Sequence, residues 1–386
     1  VRVFVSTFGS AGDTLPFVRF AAAMLARGHA VTAHTWAQSL ALFPDGCTRV
    51  ESGYRVTPEE LPRMYDDAIA CPPLEQVRVC ARYFYGLGQG DGPARAYYAR
   101  CREAVAGHDL AICNTLDHLG QAAADAAGVR CVVWASRPPV APLADELFVD
   151  IDRELGELVS AAIGSPRRVR AFRDRSRVLD IVAASPTLAL PFPQEPDLVI
   201  TGSWFEPGAP APLPAEVLDF LAGGPTLLIA FGATPDHTGR TVALVDAAVR
   251  AGWRTLVHVL APTPRELPAG PGVMVTRAHL SHPALFQRVA AVVFHGGCGT
   301  AHEIARVGRP AVAIPYLGDQ FYWAHAFAIR ELGPPALARD RLEPGVATAT
   351  LRALRDPAYA ARALSIAGAI AGEDGIGSAM RVLERL

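Results

Sequence analysis

The stretch Phe294-His295-Gly296-Gly297-Cys298-Gly299-Thr300-Ala301-His302-Glu303 follows an apolar run and leads into helical spacing. A junction of strand, glycines and helix presents main-chain N–H groups together with the positive end of the helix dipole, which makes an anion site. Phosphate is its natural guest. The glycines let a phosphate approach the main chain, Thr300 can add a hydroxyl donor and His295 an imidazole donor. Glycines in this pattern also serve an ordinary tight turn, so the cluster by itself leaves both readings open. Glu303 lies eight residues beyond His295, one helical turn past the anion site, where a carboxylate can accept from ribose hydroxyls; an exposed helix glutamate is the plain alternative. After the next apolar run, Pro315-Tyr316-Leu317-Gly318-Asp319-Gln320 again ends a strand before a helix. Asp319 and Gln320 offer acceptors and a donor suited to sugar hydroxyls, or they merely begin the helix.

These residues need elements to hold them. Residues 1–6 form an apolar strand, 15–26 a helical stretch stopped by Gly28, and 30–34 a second strand, which is a βαβ opening. Strands at 110–114 and 131–134, separated by a helix over 121–127, extend a parallel sheet wrapped by helices. Proline and glycine then concentrate in Pro207-Gly208-Ala209-Pro210-Ala211-Pro212-Leu213-Pro214, too poor in donors and too stiff for a core element. A linker at 207–215 therefore divides an N-terminal domain, 1–206, from a C-terminal domain, 216–386. Alternation restarts beyond it: strands at 226–231, 255–260, 272–276, 291–295 and 311–315, with helices at 241–250 and 300–307. Open sheets of this kind bind ligands beyond the carboxyl ends of their strands, and two of them facing across a cleft would suit a reaction of two substrates.

Composition narrows the field. The chain has 386 residues, enough for two domains with real cores, and a net charge of -2 that argues against disorder and against coating nucleic acid. All 36 basic residues are arginine, which excludes a phosphate-binding P-loop lysine and Schiff-base chemistry. The 7 cysteines are odd in number and lack close pairs, as expected of a protein kept in a reducing cytoplasm. Val1-Arg2-Val3-Phe4-Val5 runs straight into a glycine turn without a signal-peptide core, and no apolar run is long enough to span a membrane. A soluble cytoplasmic protein is expected.

The C-terminal pattern resembles the donor-binding region of GT-B nucleotide-sugar glycosyltransferases of the inverting natural-product, sterol, glycopeptide and macrolide type. His295, Gly297, Gly299, Thr300, Glu303, Asp319 and Gln320 match that motif in type and spacing, and Gly308-Arg309-Pro310 resembles its glycine-x-proline. The opening turn Gly9-Ser10-Ala11-Gly12-Asp13-Thr14-Leu15-Pro16 is similar to that of the same subfamily, as are Thr201-Gly202-Ser203-Trp204, Phe231-Gly232 and His282-Pro283-Ala284-Leu285-Phe286. Three positions depart from the pattern: Phe294 stands where a second histidine is common, Cys298 where alanine or an aromatic is, and Ala233 where a serine is usual. Loop 276–280 lacks the stacking tryptophan of plant relatives.

The resemblance implies an α/β protein of the GT-B fold, two Rossmann-like domains, acceptor in the first and nucleotide sugar in the second. It places Gly232, Ala278, His279 and Cys298 at the donor beside the motif residues. Direct displacement at the anomeric carbon needs a base for the acceptor proton and a site for the departing diphosphate. Asp13 is the expected base, though aspartate at this place also caps a helix. With helix dipole, His295 and Thr300 stabilising the leaving charge, no metal and no cofactor beyond the UDP- or TDP-sugar is expected. Asp150-Ile151-Asp152 imitates a metal-binding acidic pair but sits in a helix-like acidic stretch. Ser10, Phe84 and Trp134 are acceptor candidates, within a set of aromatics (Tyr83, Tyr85, Tyr97, Tyr98) that core packing explains equally well. Six arginines within 167–177 suit a solvated helix face or an anionic partner, membrane contact being at most peripheral. The chain would act as monomer or homodimer. Rival readings are a nucleotide-sugar epimerase or hydrolase on the same fold, and a non-catalytic partner protein. A nicotinamide dehydrogenase is disfavoured, because residues 9–12 lack the three-glycine fingerprint and His34-Thr35-Trp36 ends the second strand.

Overall fold

The computed structural model describes residues 1–53, 56–57, 60–71, 73–86, 92–136, 138, 159–160, 164, 179–192, 197–204, 211–232, 234, 239–260, 266–339 and 342–386. Residues 207–210 of the proline-rich segment, Ala233, loop 137–142 apart from Pro138, the acidic triplet at 150–152 and the arginine run at 167–177 lie outside them. The chain divides into two compact units, one of Val1–Ala184, Pro191–Phe205 and Asp374–Leu386, the other of Ser185–Leu190 and Glu206–Glu373.

The first unit carries β1 (Arg2–Ser6), β2 (Ala30–Thr35), β3 (Thr48–Glu51), β4 (Leu110–Asn114), β5 (Arg130–Ala135), β6 (Leu179–Val182) and β7 (Leu198–Ile200). They form one parallel sheet in the order β3-β2-β1-β4-β5-β6-β7. Every residue of β4 is buried, as expected where helices cover both faces. Edge strand β3, with sequence TRVE, is mostly exposed, so its residues carry no apolar signal. The first helix is Ala11–Ala26, four residues longer at its start than apolar spacing suggests. Asp13 accounts for the difference, because its bonds to Ser10 close a first turn, Ala11-Gly12-Asp13-Thr14, that has no large apolar residue to betray it.

The C-terminal helix Gly375–Leu383 packs on the first unit at a crossing that admits no side chain: a Cβ on Gly375 would lie 2.2 Å from Ser203 O, and one on Gly202 2.9 Å from Gly375 Cα. Asp374 caps the helix through Gly377 N at 2.8 Å, and Arg27 reaches Glu384 at 3.2 Å. The Thr201-Gly202-Ser203 segment is thus a packing element. Gly375→Ala should lower stability by about 1–3 kcal/mol through overpacking. An unchanged midpoint in chemical denaturation would show that the crossing yields.

The second unit carries β8 (Thr226–Ala230), β9 (Arg254–His258), β10 (Val273–Thr276), β11 (Ala291–Phe294) and β12 (Ala311–Ala313), all parallel, in the order β10-β9-β8-β11-β12. Segment Ser185–Leu190, which lies between β6 and β7 in sequence, is tied into this unit. Ser185 Oγ donates to Glu373 at 2.8 Å, Leu190 N donates to Tyr322 Oη at 2.9 Å, and Arg330 donates to the Ala189 carbonyl.

Candidate functional site

In the second unit, the chain leaves β8, β10, β11 and β12 at their carboxyl ends through the loops that hold the sequence candidates, the usual ligand end of an open parallel sheet. Gly296 has φ +90°, and a Cβ there would lie 2.6 Å from Gln320 O, so only glycine lets these two loops cross. Gly297 caps the helix Cys298–Arg306. Its first internal bond runs from Ala301 N to Gly297 O at 2.9 Å, so the N–H groups of Cys298, Gly299 and Thr300 precede the ladder. A Cβ on Gly297 would lie 2.4 Å from His295 Nε2, which places the imidazole directly over this glycine. Gly232, at φ +58°, adjoins the same ring, with a Cβ position 3.8 Å from His295 Cε1. His295 Nδ1 is buried and unpartnered. Burial, and secondarily the charge of His282, push the His295 pKa down to about 4, so the ring is neutral at pH 7 and carries one N–H to give.

The neighbouring candidates divide by role. Glu303 is only 18% exposed and its Oε2 lies 3.7 Å from His282 Nδ1. Gln320 is buried, and its Oε1 accepts from Tyr316 N at 2.8 Å and Leu317 N at 3.2 Å. That oxygen is committed to shaping the loop, which leaves the amide NH2 as what Gln320 has to offer a ligand. Asp319 is half-buried and precedes the helix Gln320–Ile329 as its N-cap residue, without a side-chain cap bond. Ala278 and His279 are exposed in the loop after β10, and Ala278 O lies 3.1 Å from His258 Nε2. Cys298 is buried, its carbonyl accepting from His302 Nδ1 at 2.8 Å. Ser185 N donates to His302 Nε2 at 2.9 Å, which fixes that histidine as the neutral Nδ1–H tautomer and makes it a brace for the first helical turn.

In the first unit, Ser10 N and Ser10 Oγ both donate to Asp13 Oδ2, each at 2.8 Å, and Thr7 Oγ1 donates to the Asp13 carbonyl at 3.1 Å. Gly9, at φ +115°, leaves room for the carboxylate, since a Cβ there would lie 2.5 Å from Oδ2. Asp13 is therefore a capping-box residue whose carboxylate is held in one orientation by Ser10. Phe84 packs at 5.3 Å from Phe8 and 6.0 Å from Trp36. Trp134 is buried between Phe17 at 5.1 Å and Trp204 at 6.5 Å, inside the core.

No family model matches the chain. The vancomycin aglycone glucosyltransferase of Amycolatopsis orientalis is 35% identical over 206 residues, 52% of this chain and 49% of that protein. The O-mycaminosyltylonolide 6-deoxyallosyltransferase of Streptomyces fradiae is 35% identical over 142 residues, 36% of this chain and 32% of that protein. The chain thus aligns with about half or less of the length of these curated relatives. Among solved structures, the kitacinnamycin glycotransferase superimposes with a TM-score of 0.73 at 18% identity, covering 100% of this chain and 98% of that one. Glycosyltransferase VinC in complex with DTDP gives 0.68 at 20% identity, covering 100% of both chains. The fold is GT-B, and the sequence relatives are glycosyltransferases.

Sequence reasoning passed over two groups of this GT-B chain. One is the pair His258 and His282 behind Glu303, whose members stand 24 residues apart in sequence and acquire meaning only by meeting. The other is Ser6, His34 and Asp117, all buried. Ser6 Oγ donates to Asp117 Oδ2 and lies 3.0 Å from His34 Nδ1, and Asp117 Oδ1 also accepts from Gly120 N at 2.8 Å. The residue types are those of a nucleophilic triad, but serine is the bridge here and its proton goes to the carboxylate, so the cluster is a structural tie. Burial raises the Asp117 pKa against the opposing pull of these bonds, and burial followed by the Arg100 charge takes His34 down to about 3.

Four histidines, three buried and His295 half-buried with its Nδ1 enclosed, give the GT-B chain an acid limit. His34 is held to about 3 and His258, His295 and His302 to about 4, in every case chiefly by burial. In the unfolded chain each takes a proton near its ordinary value of about 6.5, whereas the folded chain resists until near 4 or below. Stability is therefore full above about pH 6.5 and is lost progressively as pH falls through that window towards about 4. Thermal unfolding followed between about pH 7 and pH 5 should show a steep drop in midpoint. A flat profile would mean that these rings take protons without unfolding.

Proposed function

We propose that the chain transfers a sugar from a nucleoside diphosphate to a small natural-product acceptor, with inversion at the anomeric carbon and without a metal ion. The acceptor hydroxyl would give its proton to Asp13 as its oxygen attacks the anomeric carbon, and the bond from that carbon to the diphosphate oxygen would break. The N–H groups at residues 298–300, the Thr300 hydroxyl and the neutral His295 would take up the charge on the departing diphosphate. Glu303 would accept from the ribose, Asp319 and the Gln320 amide would meet the sugar, and Gly232, Ala278 and His279 would flank the nucleotide. Ser10 and Phe84 remain the acceptor-side candidates, with Ser10 also orienting the base, whereas Trp134 is enclosed by Phe17 and Trp204 in the core and is withdrawn as an acceptor contact.

The observation that carries this reading is the His295-Gly296-Gly297 junction at the end of β11, in a chain whose sequence relatives are glycosyltransferases. Two neighbouring structures, VinC with DTDP and SsfS6 with thymidine diphosphate, make TDP a donor nucleotide to try beside UDP. Among the described residues no helix is long and apolar enough to cross a membrane, and the 7 cysteines are free; a cytoplasmic enzyme acting as monomer or homodimer is part of the proposal. The test is to incubate UDP- and TDP-sugars with and without a panel of hydroxylated aromatic and macrocyclic acceptors, in chelator, and to assign the product anomer by NMR. Glycoside of inverted configuration formed in chelator supports the reading. Donor turned over at full rate without acceptor would instead identify an epimerase or hydrolase, and nucleotide binding without any turnover a silent partner.

A further inference from the structure

Behind the glycine junction of the second unit lies another layer of side chains. His282 opens the short helix His282–Phe286 and approaches Glu303 to 3.7 Å, with the two side chains 30% and 18% exposed. Two rings hold His282 from other sides: Phe286 stacks on it at 5.1 Å, and His258 meets it edge-on at 5.8 Å. His258 in turn reaches Ala278 O at 3.1 Å. A continuous path of contacts therefore runs from loop 277–279 through His258 and His282 to Glu303.

A glutamate on a helix face has several rotatable bonds, and fixing them when a ligand arrives costs entropy. A partner that fixes them beforehand removes that cost. An imidazole clamped between two rings is a stiff partner, and its Nδ1 stands 3.7 Å from a Glu303 carboxylate oxygen, close enough for a small shift to close a hydrogen bond when a ligand arrives. We propose that His282 is the positioning residue of the nucleotide site, holding the Glu303 carboxylate where the hydroxyls of a ribose arrive. The pair, rather than Glu303 alone, then sets the discrimination between ribonucleotides and 2′-deoxyribonucleotides. This rests on the reading of Glu303 as the ribose contact.

The test is calorimetric titration of UDP and 2′-deoxyuridine diphosphate, which share a base and differ by one hydroxyl, into the full chain and its variants. The unmodified chain should favour UDP by about 10- to 100-fold, the worth of one hydrogen bond to a charged group. Glu303→Ala should bring the ratio close to one. His282→Phe keeps an aromatic ring against Phe286 and has no N–H; it should lower the ratio to within about threefold, with His282→Leu carrying the same test should the first variant fail to fold. His282→Gln restores a donor and should recover most of the preference, which a merely structural ring would not do. A His282→Phe chain with the full original ratio overturns the positioning role while leaving Glu303 at the ribose. A Glu303→Ala chain with the full ratio overturns the ribose reading and the positioning role with it, as does equal or absent binding of both nucleotides to the unmodified chain.

Discussion

Asp13→Asn should leave nucleotide binding intact and lower sugar transfer by about 100- to 10,000-fold, the range for loss of a general base. The substitution is informative because it separates the two duties of this side chain. Ser10 N and Ser10 Oγ both donate to Asp13 Oδ2, and an asparagine carbonyl can accept the same bonds, so the helix cap persists. What asparagine lacks is a carboxylate to receive a proton. Thermal unfolding within a few degrees of the unmodified chain, unchanged affinity for the nucleoside diphosphate and a collapsed kcat would place Asp13 at the acceptor oxygen. Near-normal turnover would leave Asp13 as a capping residue and nothing more. Ser10→Ala gives a graded companion: it removes one of the two donors that orient the carboxylate and should cost less than Asp13→Asn in turnover.

The second large effect is expected at His295. Its ring covers Gly297, adjoins Gly232 and carries a buried, unpartnered Nδ1, an arrangement that folding alone does not reward. If the imidazole donates to the departing diphosphate, His295→Ala should lower kcat by about 100- to 1,000-fold, as for the loss of one donor to developing charge. The same variant should resist mild acid better than its parent, because a group held neutral down to about 4 no longer opposes folding as pH falls below its ordinary value. Loss of turnover together with improved acid stability is a signature that a simple packing defect does not produce. Full activity in His295→Ala, or a nucleotide-bound structure with the diphosphate remote from residues 297–300, would end the assignment.

The contrast between what is local and what is distant explains how much of this molecule could be read along the chain. Apolar runs such as those of β1, β4 and β11 declare themselves because both faces of a parallel strand are buried. The glycines of the β11 junction declare themselves because main chain at φ +90°, or pressed against an imidazole, tolerates nothing larger. Spacing singled out His295 and Glu303 as candidates, and the resemblance added Asp13, all near the end of a strand or the start of a helix. Polar β3 stayed hidden, as did the true start of the first helix, because exposed residues and a capping box leave no apolar period.

Composition and local pattern by themselves determined the alternation of strand and helix, the parallel sheets, the exclusion of lysine chemistry and the strand-glycine-helix junction after β11. Only the tertiary structure decided which partners the polar side chains take. It committed the Gln320 oxygen to its own loop, set His302 under the first turn of a helix, joined Ser185 to Glu373 across 188 residues and gave Glu303 a histidine neighbour. It also returned the C-terminal helix to the first unit, where two glycines meet. The physical reason is that burial and backbone geometry act on each residue where it stands, whereas a hydrogen bond or ion pair between distant residues exists only after packing has removed the water that would otherwise satisfy both groups.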